Sequence, residues 1–482
     1  MRTTFKNISL LTLGLIAGVL AALQFSASAQ NTSGPLPVDE LRLLAGVFGL
    51  INQEYVEPVD DKALLISAIK GMVSSLDPHS AYLDSKEFSE MQEHTRGRFA
   101  GLGIEISSEE GLVKVINPIE GTPAARAGIR AGDLITQLDS KPVRGMSLDQ
   151  AVRRMRGQPG TKITLTIYRK SEERTFPLTL TRAEIHVQSV KAVALDPHTA
   201  WVRINSFQET TVPDLARKLK ELSEQNPGLK SLILDLRNNG GGLLQGAVGV
   251  AAAFLPPDVT VVTTNGKAQD AKRDYRATLA NYRLAEDGDP LANLPAWAKT
   301  IKMVVLVNAY SASASEIVAG ALKDHKRAIL IGKTTFGKGS VQTVRNLSET
   351  SAVKLTTAYY YTPSGTSIQA LGIAPDLAVD QNAEGDPDEV LVTREIDSEK
   401  HLRNKQHPED KEISGRELRR VAELRRLEEE NLKKTPEERE KDKRKKPVEF
   451  GSADDFMLQQ ARAYLRGEKP QLSRSKLESA SF

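Results

Sequence analysis

Cysteine is absent from all 482 residues. There is therefore no disulfide framework, no thiol nucleophile and no zinc–thiolate site, and stability must come from packed cores. An excess of charge is lacking too: 65 Lys and Arg stand against 62 Asp and Glu, a formal net charge of +3. Nothing in that balance calls for a nucleic acid or an acidic partner. No His-Glu-x-x-His occurs among the seven histidines, which argues against a zinc hydrolase. Gly332-Lys333-Thr334 ends like a phosphate loop, but the leading glycine would fall at 327, which is Arg327. Gly-x-Ser-x-Gly, the elbow of many hydrolases, is missing around the candidate serines. No internal repeat is visible.

The first positive signal is N-terminal. Arg2 and Lys6 precede an apolar run from Ile8 to Leu23, then Ala27-Ser28-Ala29 ahead of Gln30. This is the layout of a secretory signal peptide over residues 1–29, and it predicts a chain that is periplasmic or otherwise exported after cleavage. The run is short of the roughly 20 residues that span a bilayer. Left uncleaved, the same segment would act as a membrane anchor.

Two to four domains are expected at this length. Residues 30–95 read as a helical N-terminal region, with Leu41, Leu44, Phe48 and Ile51 on one stripe and Leu64, Ala68, Met72 and Val73 on another. Residues 96–183 alternate short strands and turns around one helix, Ser147 to Arg156. Residues 184–382 alternate strands (231–236, 303–307, 328–331, 353–361) with helices (243–254, 316–323), the order of an α/β domain. Residues 383–482 form a charged C-terminal region, read as a solvated helix over Glu412–Lys446 and a short apolar helix, Phe456 to Leu465, that docks back.

Three segments of the α/β region could carry chemistry. Ser311 to Glu316 lies between a buried strand and a helix, where free N–H groups and the helix dipole stabilise negative charge. Ser313 and Glu316 also fit a capping box, which needs no catalysis. Phe336-Gly337-Lys338-Gly339 sets a lysine between glycines that let backbones approach closely. Burial would lower its pKa from about 10.4 and make it a base; an exposed loop lysine is the plainer reading. Asp235 to Gly242 leaves a strand for a helix, and its bare N–H groups could hold an oxyanion or a phosphate.

In one consistent order, these segments resemble the carboxyl-terminal processing proteases, also called tail-specific proteases. The likeness runs over roughly residues 40 to 380. It takes in Asp77 to Leu83, Gly101-Leu102-Gly103-Ile104, Gly121 to Ala125 with Gly128, Gly132 and Asp133, the three segments above, Tyr361 to Gly365 and Gly372 to Asp376. The resemblance implies a multidomain α/β protein: helical N-terminal segment, PDZ-like β-rich module, crotonase/ClpP-like protease core and charged helical C-terminal region. It implies Ser313 as nucleophile, Lys338 as general base 25 residues later (338 − 313), and Gln342 orienting the amine. Ala314 with Gly240 or Gly241 would form the oxyanion hole, and no cofactor or metal is needed. The Gly101–Ile104 loop would take a terminal carboxylate, and Val152 and Met155 would line a pocket for an apolar last side chain of a protein substrate. Core packing is the other reading of that pair. Arg156 resembles an arginine that couples the module to the active site in some relatives. Helical ends imply self-association.

The competing readings are a catalytically silent PDZ tail-binding scaffold, a crotonase-like acyl-thioester enzyme and a triad using Asp324 or His325. The scaffold predicts a lost nucleophile or base, yet Ser313, Lys338 and Gln342 are all present. The thioester enzyme needs neither module nor signal. Asp324 and His325 fall about three turns beyond Ser313, about 15–18 Å at 1.5 Å per residue.

Overall fold

The computed structural model describes residues 36–284, 288–383, 392–407, 426, 435 and 448–473. The signal segment 1–29 and, apart from residues 426 and 435, the charged run 412–446 lie outside them. No described helix is long and apolar enough to cross a membrane. The chain divides into two units, Met1–Gly71 and Met72–Phe482.

The first unit holds helix α1 (Val38–Glu54) and most of α2 (Asp61–Ser74), broken at Glu57-Pro58 as expected. Helix α1 buries none of its residues, and Leu41 and Leu44 of its stripe are exposed.

The second unit opens with β1 (Ala81–Leu83) and α3 (Ser85–Arg96). Asp84 and Glu87 close a capping box at the start of α3, and Gly97 ends it at a left-handed φ of 68°. β1 lies in a stretch expected to be helical. It is a strand because it pairs antiparallel with a distant core strand, Tyr82 opposite Val353; tertiary pairing overrides local pattern here. β2 (Arg98–Gly101) then leads into a six-stranded antiparallel sheet. Its strands are β3 (Ile104–Glu109), β4 (Leu112–Pro118), β5 (Leu134–Leu138) with the short β6 (Lys141–Pro142), β7 (Lys162–Arg169) and β8 (Arg174–Thr181). Helix α4 (Leu148–Met155) covers it, capped by Ser147 and Gln150. β7 alternates buried and half-buried residues, and Ile163, Leu165 and Ile167 feed the module core. β3 is an edge strand, paired only with β4. β9 (Ala183–His186) returns to pair with β2.

The α/β core begins with β10 (Val190–Asp196), β11 (Thr199–Ile204), α5 (Thr211–Gln225), β12 (Ser231–Asp235) and α6 (Leu244–Phe254). β13 (Thr260–Gly266), β14 (Arg273–Arg276), β15 (Lys302–Val307), α7 (Ala314–Asp324) and β16 (Ile329–Gly332) follow. β17 (Ser340–Asn346), β18 (Ala352–Tyr361) and β19 (Leu377–Ala378) complete it, and α8 (Phe456–Leu465) docks from the C-terminal region. One sheet runs β10-β11-β12-β15-β16-β19, parallel from β11 onward. All five residues of β12 are buried because both sheet faces are covered. Leu232 and Leu234 point into the main core with Met303 and Val305, while Ile233, Val304 and Leu306 point the other way. Met457, Ala461 and Leu465, four residues apart on α8, seal that second face. The other core sheet, β1-β18-β13-β14, carries β17 on β18.

Candidate active site

The three chemical segments leave the carboxyl ends of three neighbouring parallel strands, where ligands of α/β sheets bind. Asp235 of β12 lies opposite Leu306 of β15, and Val307 opposite Gly332 of β16. That register brings the 238–242 turn, the 311–316 turn and the 336–339 loop to one edge, although they are far apart in sequence.

Three serines compete at the middle turn. Ser311 Oγ donates to Leu236 O at 2.9 Å and accepts from Asn308 N–H at 3.0 Å, and Ser315 Oγ donates to Asn239 O at 2.8 Å. Both are buried and committed. Ser313 and Glu316 stand in capping-box register, but the bond into the first turn runs from Glu316 N–H to the Ser313 carbonyl at 2.8 Å, with no hydrogen bond to the hydroxyl. Ser313 alone sits at φ 56°, ψ −114°, a region that strains any residue with a Cβ. The candidate nucleophile is thus the half-buried serine on the strained turn, at the N-terminus of α7.

Glu316 is fully buried and binds four donors. Its Oε2 accepts from the N–H groups of Ser313 (2.7 Å) and Lys338 (3.0 Å), and its Oε1 from Gly337 N–H (2.7 Å) and Thr335 Oγ1 (2.6 Å). Burial pushes this carboxyl up to about 7 against the pull of those donors. Tyr360, also buried, donates its hydroxyl to Ser313 O at 3.1 Å and to Lys338 O. The two side chains tie the serine turn to the lysine loop. Sequence reading placed Glu316 only as a cap and missed Tyr360; the sole hint was a tyrosine in a long core strand.

The Lys338 amine forms no hydrogen bond or ion pair among the described residues. Burial, then the positive charge of Lys354, lowers its pKa to about 8, against the pull of Glu395, Glu316 and Asp77. About a tenth of it is then neutral at pH 7. The expected contact to Ser313 is not made: no hydrogen bond joins the hydroxyl and the amine. Such bonds are often long before substrate binds. Gln342 likewise does not hold the amine. Its Nε2 donates to Ser340 Oγ and Thr356 Oγ1, each at 3.1 Å, which uses both amide hydrogens and leaves Oε1 as the acceptor.

For the oxyanion, Ala314 N–H and Gly240 N–H have no acceptor among the described residues. Gly241 N–H donates to Asn239 Oδ1 at 2.9 Å. Gly241 is nevertheless the glycine in contact: a Cβ there would meet Ser313 Cβ at 2.8 Å and Ala314 N at 3.0 Å.

In the β-rich module, Gly103 has φ +76°, and a Cβ there would strike Thr122 at 2.3 Å. Its carbonyl accepts from Ile119 N–H at 2.9 Å and that of Leu102 from Ala124 N–H at 3.0 Å. The N–H groups of Leu102 and Gly103 have no acceptor among the described residues. Gly101 ends β2, and Ile104 begins the edge strand β3. Met155 packs into the module core, so of the pair only Val152 keeps some surface. Arg156 pairs with Glu93 of α3 and lies over the Phe99 ring at 5.3 Å. Lys86, at the other end of α3, meets Asp149 at 3.1 Å. Asp324 and His325 are occupied away from Ser313, by Ser364 N–H (2.9 Å) and Thr260 O (2.7 Å).

Residues 198–379 match Peptidase family S41, residues 114–169 a PDZ domain, and residues 16–87 the N-terminal domain of the activating protease CtpB. The chain is 42% identical over 371 residues to a carboxy-terminal-processing protease of Bartonella bacilliformis, covering 76% of this chain and 82% of that one. To a CtpA-like serine protease of Staphylococcus aureus it is 37% identical over 369 residues, covering 76% and 70%. Among solved structures it is similar to the photosystem II D1 C-terminal processing protease, at 32% identity over 68% of this chain and 84% of that one, with a TM-score of 0.38. A serine-type peptidase core of family S41 joined to a PDZ domain, with a relative this similar over most of its length, places the chain in the carboxy-terminal-processing protease family.

Proposed function

We propose that this chain is an exported endopeptidase that captures protein C-terminal tails on its PDZ domain and cuts them with Ser313 and Lys338. The observation carrying this reading is the selection at the strand ends: of three neighbouring serines only Ser313 has an uncommitted hydroxyl, and the nearby buried lysine has its pKa lowered to about 8. Neutral Lys338 takes the Ser313 proton as Oγ attacks the scissile carbonyl. The oxyanion is held by Ala314 N–H and the Gly240–Gly241 turn. Lys338 then protonates the leaving amine, and water hydrolyses the acyl-enzyme. Gln342 Oε1, the acceptor its two donated bonds leave over, orients the amine. No step needs a metal or an organic cofactor.

Tail capture is supported by the bare N–H groups of Leu102 and Gly103, which suit a carboxylate, and by the open edge of β3, which suits an added strand. Val152 borders the last side chain, and an apolar residue fits it. Arg156, through Glu93, links module and core. The exposed Leu41 and Leu44 of α1 support self-association through the N-terminal helices. Residues 1–29 direct export to the periplasm or, uncleaved, anchor the chain.

The test is cleavage of a tail peptide by purified Ser313→Ala and Lys338→Ala, each checked for folding. Both lose turnover. Retained proteolysis by folded Lys338→Ala would remove the lysine as base. Loss of all activity in the wild type with intact peptide binding would favour the silent scaffold. Amidating the peptide's C-terminus weakens its binding; equal turnover of free and amidated tails would count against PDZ capture.

A further inference from the structure

The loop that carries Lys338 has its whole main chain committed. Phe336 N–H donates to Ser311 O at 3.0 Å, and Phe336 O accepts from Glu395 N–H at 3.1 Å. Gly337 N–H goes to Glu316, and Gly337 O accepts from Ala370 N–H at 2.8 Å. Lys338 N–H goes to Glu316, and its carbonyl accepts from Tyr360 Oη. Gly339 N–H donates to Gln369 Oε1 at 2.8 Å, and Gly339 O accepts from Tyr360 N–H at 2.9 Å. Both polar groups of all these residues are paired, as a rigid buried segment requires.

Two of the partners lead to one carboxylate outside the core. Glu395 is fully buried. Its Oε1 accepts from Gln369 Nε2 at 2.9 Å, and its Oε2 lies 2.7 Å from His79 Nε2. It therefore reaches the loop twice, through its own N–H at Phe336 and through Gln369 at Gly339. His79 belongs to the Asp77–Ser80 turn ahead of the PDZ domain, and the same turn grips β18, the partner of the strand that follows the lysine. Asp77 Oδ1 accepts from Thr356 Oγ1 at 3.1 Å, and Thr356 Oγ1 accepts from Gln342 Nε2 at 3.1 Å. Both flanks of Lys338 are thus held from one turn. His79 precedes and Glu395 follows the 198–379 peptidase match.

We propose that Glu395 and His79 are positioning residues for Lys338, which set the amine through Gln369 and the main chain of Phe336 and Gly339. This inference rests on the reading of Lys338 as the base. A buried carboxylate persists only with partners, and here they are a histidine and an amide that touches the base loop. Losing one loosens the Phe336 and Gly339 ends of the loop that carries the base, and displacements of about 1 Å at a catalytic group can cost about 100-fold in rate.

The experiment measures kcat, KM and thermal unfolding of the full chain on a tail peptide, for His79→Ala, His79→Gln and Glu395→Ala beside Ser313→Ala and Lys338→Ala. His79→Ala and Glu395→Ala lower kcat by about tenfold or more with KM within about twofold. His79→Gln, whose amide can still donate to Glu395 Oε2, recovers most of it. If Glu395→Ala fails to fold, the two His79 variants decide. Wild-type kcat in folded His79→Ala, a change confined to KM, or no recovery with glutamine overturns the inference. The reading of the site then still stands, provided Ser313→Ala and Lys338→Ala are inactive. Cleavage by folded Lys338→Ala overturns both.

Discussion

Glu316 Oε2 accepts the main-chain N–H of Lys338 at 3.0 Å while the same oxygen holds the N–H of Ser313 at 2.7 Å. One carboxylate oxygen is therefore the hinge between candidate nucleophile and candidate base. Glu316→Gln is nearly isosteric, but either placement of its NH₂ turns a donor toward two donors. We expect kcat to fall by about 100-fold and stability by about 1–3 kcal/mol. Steady-state kinetics and thermal unfolding measure the two; unchanged kcat would show that the two loops are set without Glu316.

Much of this site was legible in the sequence, for a physical reason. Strands β12, β15 and β16 are short apolar runs, each followed by a turn rich in glycine or serine, and the helices after the first two are equally plain. The loops between them therefore had to emerge at a sheet edge. Phe456–Leu465 was readable from its apolar spacing alone. What stayed hidden depends on pairing register or on distance. Tyr360 is the middle of three tyrosines, and only the pairing of β18 with β17 and β13 turns it inward. His79 and Glu395 stand 316 residues apart, and no local spacing relates them. The missing Ser313–Lys338 contact could not be read from residue types, which fix neighbourhood but not the direction in which each side chain points.

The pH dependence follows from the two causes that lower the Lys338 pKa, burial and the charge of Lys354. The base works neutral, so kcat/KM rises with pH through about 8. Glu316, raised to about 7, adds to the loss on the acid side because a proton there displaces a backbone donor. Lys354→Met removes a repelling charge, so the Lys338 pKa rises and the acid limb moves to higher pH. A pH–rate profile whose limb stays put in Lys354→Met would mean that solvent screens the pair.

Lys338 should also weaken the fold it serves. Its folded pKa of about 8 lies below its ordinary 10.5. The unfolded chain binds the proton more tightly, so the protonated lysine opposes folding below about pH 8, and that penalty is relieved as pH rises from 8 toward 10.5. Lys338→Met removes it. At pH 7 the variant is expected to be inactive yet more stable, by on the order of 1–3 kcal/mol. Urea unfolding at pH 7 and pH 10 checks the sign: the gain shrinks at the higher pH. A loss of stability at pH 7 would mean the amine is better solvated than its surroundings indicate.

A buried cluster of two acids and two arginines joins the oxyanion turn to α8. Arg237, fully buried at the start of the oxyanion turn, is held by Asp235 (Nη2–Oδ2 2.6 Å) and by Asp455 (Nη1–Oδ1 2.8 Å). Arg203 lies 3.7 Å from Asp235, so two acids and two arginines balance in charge. Asp455 also caps α8 through Leu458 N–H at 3.2 Å. Burial pushes the Asp455 carboxyl up, but Arg237 outweighs it and the net shift is downward. Its contribution is therefore present above the ordinary carboxylate range and lost as pH falls through the lowered value. Asp455→Ala leaves a buried cation short of one partner and frees the helix that seals Ile233, Val304 and Leu306. Breaking such a pair costs about 3–5 kcal/mol, and the loss should be larger near neutrality than in acid. Chemical unfolding at two pH values measures it; a variant as stable as the wild type would show that α8 docks by its apolar face alone.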